Sequence, residues 1–191
     1  MISVLYTIVT ALLLGIVYPV FMTVLAHVLF PYKADGQLIT KNGEVIGSRI
    51  IGQSFTGPGY FHSRPSAAGT GYDATSSGGS NYAPTNEKYI ARVEADVQNL
   101  QTNVPGVSVP VDLVTTSGSG LDPDITPAAA EFQVPRVAKE CGLSIPVVED
   151  MVTKHTESRQ FDFLGEPRVN VLELNLVLAA VCPQKTANSF R

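Results

Sequence analysis

Residues 2–30 contain no Lys, Arg, Asp or Glu and consist mainly of Leu, Val, Ile, Phe and Ala. Such a run cannot sit in water without a cover. As a helix it would measure about 40 Å at ~1.5 Å per residue, enough to cross a hydrocarbon layer of about 30 Å with some tilt. Gly15 and Pro19 are compatible with a span, because helical backbone bonds persist where no water competes, and Pro19 is expected to kink it. Tyr32 suits the interface. A cleaved signal peptide would need a basic start, a shorter apolar core and a small-residue cleavage site. None stands out here, so a retained single-pass anchor over residues 1–32 is the expectation. His27, near the end of the span, reads as an interfacial residue rather than an ion ligand.

The remainder, residues 33–191, has room for one domain of ordinary size. The chain as a whole, with 45% hydrophobic and 16% charged residues, is too apolar for a disordered chain, and its net charge of -4 gives no footing for a nucleic-acid backbone. The pattern is mixed, α+β or α/β. Residues 45–53 form a β-rich run broken by glycines, and residues 107–113 alternate like an edge strand containing Pro110. Ile90, Val93, Val97 and Leu100 share a helical face, with Thr85 or Asn86 as cap and Glu87 near the positive end. Thr126-Pro127 starts a second helix that runs to Gly142 with a bend expected at Pro135, and Ser144 starts a third. Residues 169–181 are apolar nearly all round and should be buried, so Asn170, Glu173 and Asn175 need partners inside.

Residues 54–83 have no helical or strand period, being Gly, Ser and Pro interspersed with aromatics. Phe55, Tyr60, Phe61, His62, Arg64, Tyr72 and Tyr82 lie in this stretch. Aromatic and Arg side chains are the usual anchors of interfaces, so the stretch reads as a docking surface rather than a loop packed on itself. For chemistry the chain offers little. Three histidines are present, one in the span, and HExxH, GxSxG, GxxxxGK[ST] and GxGxxG are all missing. Asp122 and Asp124 read as turn and capping groups. Ser76-Ser77-Gly78-Gly79-Ser80-Asn81 is the one candidate anion contact, since glycines let backbone N–H groups converge on a phosphate. Cys141 and Cys182 form no CxxC pair, and spacing leaves open whether they join.

Gly52-Gln53-Ser54-Phe55-Thr56-Gly57-Pro58-Gly59-Tyr60-Phe61-His62-Ser63-Arg64-Pro65-Ser66-Ala67, followed by Ser77-Gly78-Gly79-Ser80-Asn81, resembles the KdpC family, the C subunit of the bacterial Kdp potassium-transporting ATPase. Residues 119–130, 133–138 and 169–175 resemble the family's later blocks. The resemblance implies a subunit of the inner-membrane uptake complex with no catalytic centre of its own. Its partners would be a channel-like potassium subunit, a P-type ATPase subunit, a small membrane peptide and the lipid bilayer. It implies no cofactor held by this chain; ATP would belong to the complex, and potassium to the partner subunit that transports it. Two roles follow from the family: stabilising the complex near the potassium entrance, or acting as a chaperone that raises the ATPase subunit's nucleotide affinity. In the second, Ser77, Gly78, Gly79, Ser80 and Asn81 would contact nucleotide, with Gln53 assisting. Lys33, Lys41 and Arg49 after the span lean toward a cytoplasmic domain, but long domains translocate largely regardless of charge, and the family implies an extracytoplasmic one. The alternative is a membrane-tethered binding or sensor protein unrelated to transport.

Overall fold

The computed structural model describes residues 1–102 and 104–182. They fall into two compact units, Met1–Ser48 and Arg49–Arg191.

The first unit is dominated by helix α1 (Ile2–Leu29), 28 residues that include an 18-residue stretch of mean hydropathy 2.4, with none buried within the chain. Its polar side chains are satisfied locally, as an apolar surrounding demands. The hydroxyls of Thr7, Thr10 and Thr23 donate to the carbonyls of Ser3, Tyr6 and Pro19 at 2.8–2.9 Å. At the far end His27 lies 3.3 Å from Asp35, in keeping with an interfacial position. The turn before Pro19 takes a π-helical form over Leu13–Val17, with the Tyr18 N–H bonded to the Leu13 carbonyl. A wider turn there relieves the clash of the proline ring with the preceding backbone. A short helix, α2 (Pro31–Ala34), then leads to an antiparallel hairpin of β1 (Leu38–Lys41) and β2 (Glu44–Ser48). Asn42 and Gly43 both have positive φ, the Asn-Gly turn that matches strand twist.

The second unit is α+β. Helix α3 (Glu87–Gln101) is capped by Asn86, whose side chain accepts from the N–H groups of Lys88 and Tyr89. Its apolar face is only partly covered, and Ile90 stays exposed. Residues 107–113, expected as an edge strand, instead end in a 3-10 turn, Val111–Leu113. Pro110 cannot donate to a ladder, and the alternation fails because Val107 and Val111 face solvent. Asp112 is buried and accepts from the Thr126 N–H at 2.7 Å. That bond fixes the turn against the next element.

Strand β3 (Asp124–Ile125) leads into α4 (Pro127–Cys141), begun by the Thr126 hydroxyl and closed by Gly142 in the left-handed conformation. Pro135 does not break α4. It and Glu131, the residue four before it whose carbonyl it cannot bond, both lie on the solvent side, where that carbonyl is open to water. Helix α5 (Ile145–Lys154), β4 (Thr156–Glu157), β5 (Arg168–Asn170) and α6 (Val171–Val181) complete the unit. The strands form an antiparallel sheet in the order β3-β5-β4. The core lies between α4, α5, α6 and this sheet, with Val134, Val137, Val148, Val152, Val169, Leu172, Leu174 and Leu178 nearly fully buried. Cys141 and Cys182 are joined, tying the end of α4 to the end of α6.

Candidate functional site

Two helices meet the long loop with one amide each. Asn175, wholly buried on α6, accepts from the Phe61 N–H at 2.8 Å and donates to the Phe61 carbonyl at 2.9 Å. Gln133, on α4, does the same for the next residue: it accepts from the His62 N–H at 2.8 Å and donates to the His62 carbonyl at 3.1 Å. Each amide stands in for a neighbouring strand, so a segment without secondary structure still has its backbone groups paired. Arg136, one turn beyond Gln133, donates to the carbonyls of Pro58 and Tyr60 and to Gln133 itself. Burial holds its guanidinium down to about 10, with Glu140 opposing the shift.

This clamp turns the aromatic rings inward. Phe55, Tyr60 and Phe61 are all buried, with the Phe55 and Tyr60 rings 5.7 Å apart. Burying such rings stabilises by about 1.5–3 kcal/mol each. They form part of the core, so the outward face of the loop is made by other groups. His62 bonds the Gly57 carbonyl through Nε2 at 3.0 Å, and burial, then the Arg136 charge, lowers its pKa. Arg64 reaches Asp122 at 3.2 Å and the Thr115 carbonyl at 3.4 Å. Its own carbonyl accepts from the Tyr72 hydroxyl, which burial pushes up to about 12. Ser66 completes the fold of the loop, donating to the Gly120 carbonyl at 2.6 Å and accepting from the Tyr72 N–H at 2.8 Å.

The Ser77 to Asn81 segment packs against residues 117–120. The Gly78 N–H and the Ser77 hydroxyl both bond the Ser119 carbonyl at 2.9 Å, and the Thr116 hydroxyl bonds Ser80. The Gly78 donor that a phosphate would need is therefore engaged within the chain. The glycine on which this packing depends is Gly120. Its φ is +67°, and an added Cβ would lie 2.6 Å from the Gly78 carbonyl oxygen and 2.7 Å from the Ala68 nitrogen. Gly78 faces open space. We expect Gly120→Ala to destabilise the chain by about 2 kcal/mol or more, and Gly78→Ala to stay within about 0.5 kcal/mol, as read by thermal unfolding. Equal effects would contradict this packing.

Below the loop lies an open cleft of ≈ 310 Å³ lined by Arg64, Asp112, Asp122, Asp124, Glu166 and Arg168, among others. It holds charges of both signs. Arg168 reaches Asp124 at 3.2 Å and Glu157 at 2.7 Å, and Glu157 also pairs with Arg49, which lies 2.7 Å from Glu173. Burial raises the Asp124 pKa, with the Asn170 amide and then Arg168 opposing. Asp122 accepts from the Asp124 N–H at 3.1 Å, the turn role expected for it. Among the described residues no group of three His, Cys, Asp or Glu side chains is placed to hold a metal ion.

The expected partners for Asn170, Glu173 and Asn175 are thus all present. Asn170 caps α6 through the Glu173 N–H and reaches Asp124 and the Arg49 carbonyl. Sequence reasoning gave no role to Gln133 and Arg136. The available signal was Gln133, set among the apolar Phe132, Val134 and Val137, with Arg136 one turn on.

A family model described as "K+-transporting ATPase, c chain", KdpC, matches residues 1–180. A protein of Koribacter versatilis named potassium-transporting ATPase KdpC subunit is 61% identical over 184 residues, covering 96% of this chain and 95% of its own. Relatives with the same name in Acidobacterium capsulatum and Methylococcus capsulatus are 59% and 54% identical, covering 92% and 94% of this chain and 95% and 96% of theirs.

Proposed function

The chain belongs to the KdpC family, the c chain of potassium-transporting ATPases, and from that premise we propose that it is a non-catalytic accessory subunit, anchored by α1, that assembles and stabilises the complex from outside the cytoplasm. Its partners in this reading are the channel-like potassium subunit, the P-type ATPase subunit and the small membrane peptide. The observation that carries it is the internal use of the candidate site's polar groups. Gln133, Asn175, Arg64 and the Gly78 N–H are engaged in holding the chain's own loop, which suits a rigid shape rather than a reacting centre. The Cys141–Cys182 disulfide supports the extracytoplasmic side, since structural disulfides persist in oxidising compartments and are rare in the cytosol. A role in raising nucleotide affinity would demand a cytoplasmic domain and a free anion nest at Ser77 to Asn81.

The test is to purify the ATPase through a tag on another subunit, from cells with and without this chain. The reading expects the other subunits to separate, and potassium-stimulated ATP hydrolysis to be lost, when the chain is missing. An intact complex with normal potassium-stimulated hydrolysis in its absence would overturn it.

A further inference from the structure

The connection between β4 and β5 ends in an apolar tip that the domain does not use. Phe161 and Phe163 are 82% and 70% exposed, and Leu164 is 48% exposed. The tip is nevertheless well defined. Gln160 and Leu164 exchange both backbone hydrogen bonds at 2.9 Å, and the Phe163 N–H bonds the Gln160 carbonyl at 3.3 Å. An Arg159–Glu166 ion pair at 2.6 Å closes its base, and the Glu157–Arg168 register of the sheet lies just below.

Within it Phe161 and Asp162 have φ of +53° and +66°. Two successive positive φ values spanned by that bond are the pattern of a type I′ turn, which favours Asn, Asp and Gly at its centre. A bulky aromatic with positive φ is an outlier and costs free energy. Phe161 therefore strains the backbone while its ring gains almost no cover. Among the described residues the ring finds little cover to offset that strain, and a local conflict of this kind marks a functional position. The carboxylate of Asp162, which follows Phe161 at the centre of the turn, has no hydrogen bond or ion pair among the described residues.

We propose that this tip is a preformed anchor that seats Phe161 and Phe163 in an apolar pocket on another subunit of the ATPase, with a basic side chain at the pocket rim meeting Asp162. The proposal rests on the accessory-subunit reading above and adds the contact. Rigid aromatic anchors in desolvated pockets dominate interface energetics, and a tip already held in its bound shape loses little conformational entropy on docking. The carboxylate decides between occupants. An acidic apex is poorly suited to enter hydrocarbon, whereas a protein pocket can supply its counter-charge. Two copies meeting tip to tip would oppose their own carboxylates.

The experiment uses the full chain in the complete complex. In Phe161→Asn with Phe163→Ser, Asn fits the turn, so the melting temperature of the chain should be unchanged or slightly raised. Retention on the tagged complex after washing should fall about tenfold or more. A photo-reactive phenylalanine analogue at position 163, in native membranes, should crosslink to another subunit of the ATPase. Wild-type retention of the double variant would overturn the anchor while leaving the accessory reading intact, and so would crosslinking to lipid or to a second copy of this chain. If the unaltered chain itself fails to co-purify, the accessory reading falls, and the anchor with it.

Discussion

Replacing Asn175 by alanine should destabilise the chain by about 4 kcal/mol, because two buried backbone groups lose their partner at once, each at a cost of about 1–3 kcal/mol. The side chain is wholly buried, and both its bonds go to Phe61, 114 residues away in sequence. For a domain of this size such a loss lowers the melting temperature on the order of 10 °C. Asn175→Leu restores the volume but leaves the Phe61 N–H and carbonyl unpaired, so it should recover only part of the loss. Thermal unfolding of the full chain in detergent reads both. A melting point within about 2 °C of wild type for Asn175→Ala would mean that the amide does not hold the loop. The same variant should also loosen the complex, since freeing the loop from α6 exposes Tyr60 and Phe61.

The second large effect is expected at the disulfide. Cys141 and Cys182 close a loop with a sequence separation of 41, for which chain entropy gives about 4 kcal/mol of stabilisation. Changing both cysteines to serine should therefore cost a comparable amount, and reductant should bring the wild-type chain down to the melting point of that variant. Reductant should leave the variant itself unmoved, which separates loss of the crosslink from any effect of the solvent. A wild-type melting point insensitive to reductant would contradict the bond's role. Because the bond joins the ends of the two helices that carry Gln133 and Asn175, its loss should also weaken the hold on the loop.

What the sequence makes legible depends on how far apart the interacting residues lie. The charge-free run, the Asn86 and Thr126 caps and the Gly142 stop are local signals, and each appears in the structure where its chemistry places it. The need of Asn175 for a partner is legible too, because burial of an amide requires one, but the partner's identity is not. Loop 54–83 reads as outward-facing because its Phe, Tyr and Arg content is that of an interface. The bonds that turn Phe55, Tyr60 and Phe61 inward span 71 and 114 residues and leave no periodic trace. Residues 107–113 alternate like a strand, yet Pro110 and the Asp112–Thr126 bond give a turn. The pairing of Cys141 with Cys182 follows from how α4 and α6 end side by side, which spacing alone does not disclose. At the glycine segment, the residue whose φ matters is Gly120 rather than the Gly78-Gly79 pair that draws the eye.

In the function proposed above, α1 holds this domain on the outer side of the membrane. The sequence contains two cysteines, and both are in the disulfide, so one introduced thiol is a unique reporter. Lys154 suits it: the side chain is exposed and, among the described residues, pairs with Asp150 alone, on its own helix, an interaction worth little at a surface. Cells producing Lys154→Cys, treated intact with a maleimide that cannot cross the membrane, should label this chain. Labelling that appears only after the cells are permeabilised would put the domain in the cytoplasm and contradict the account.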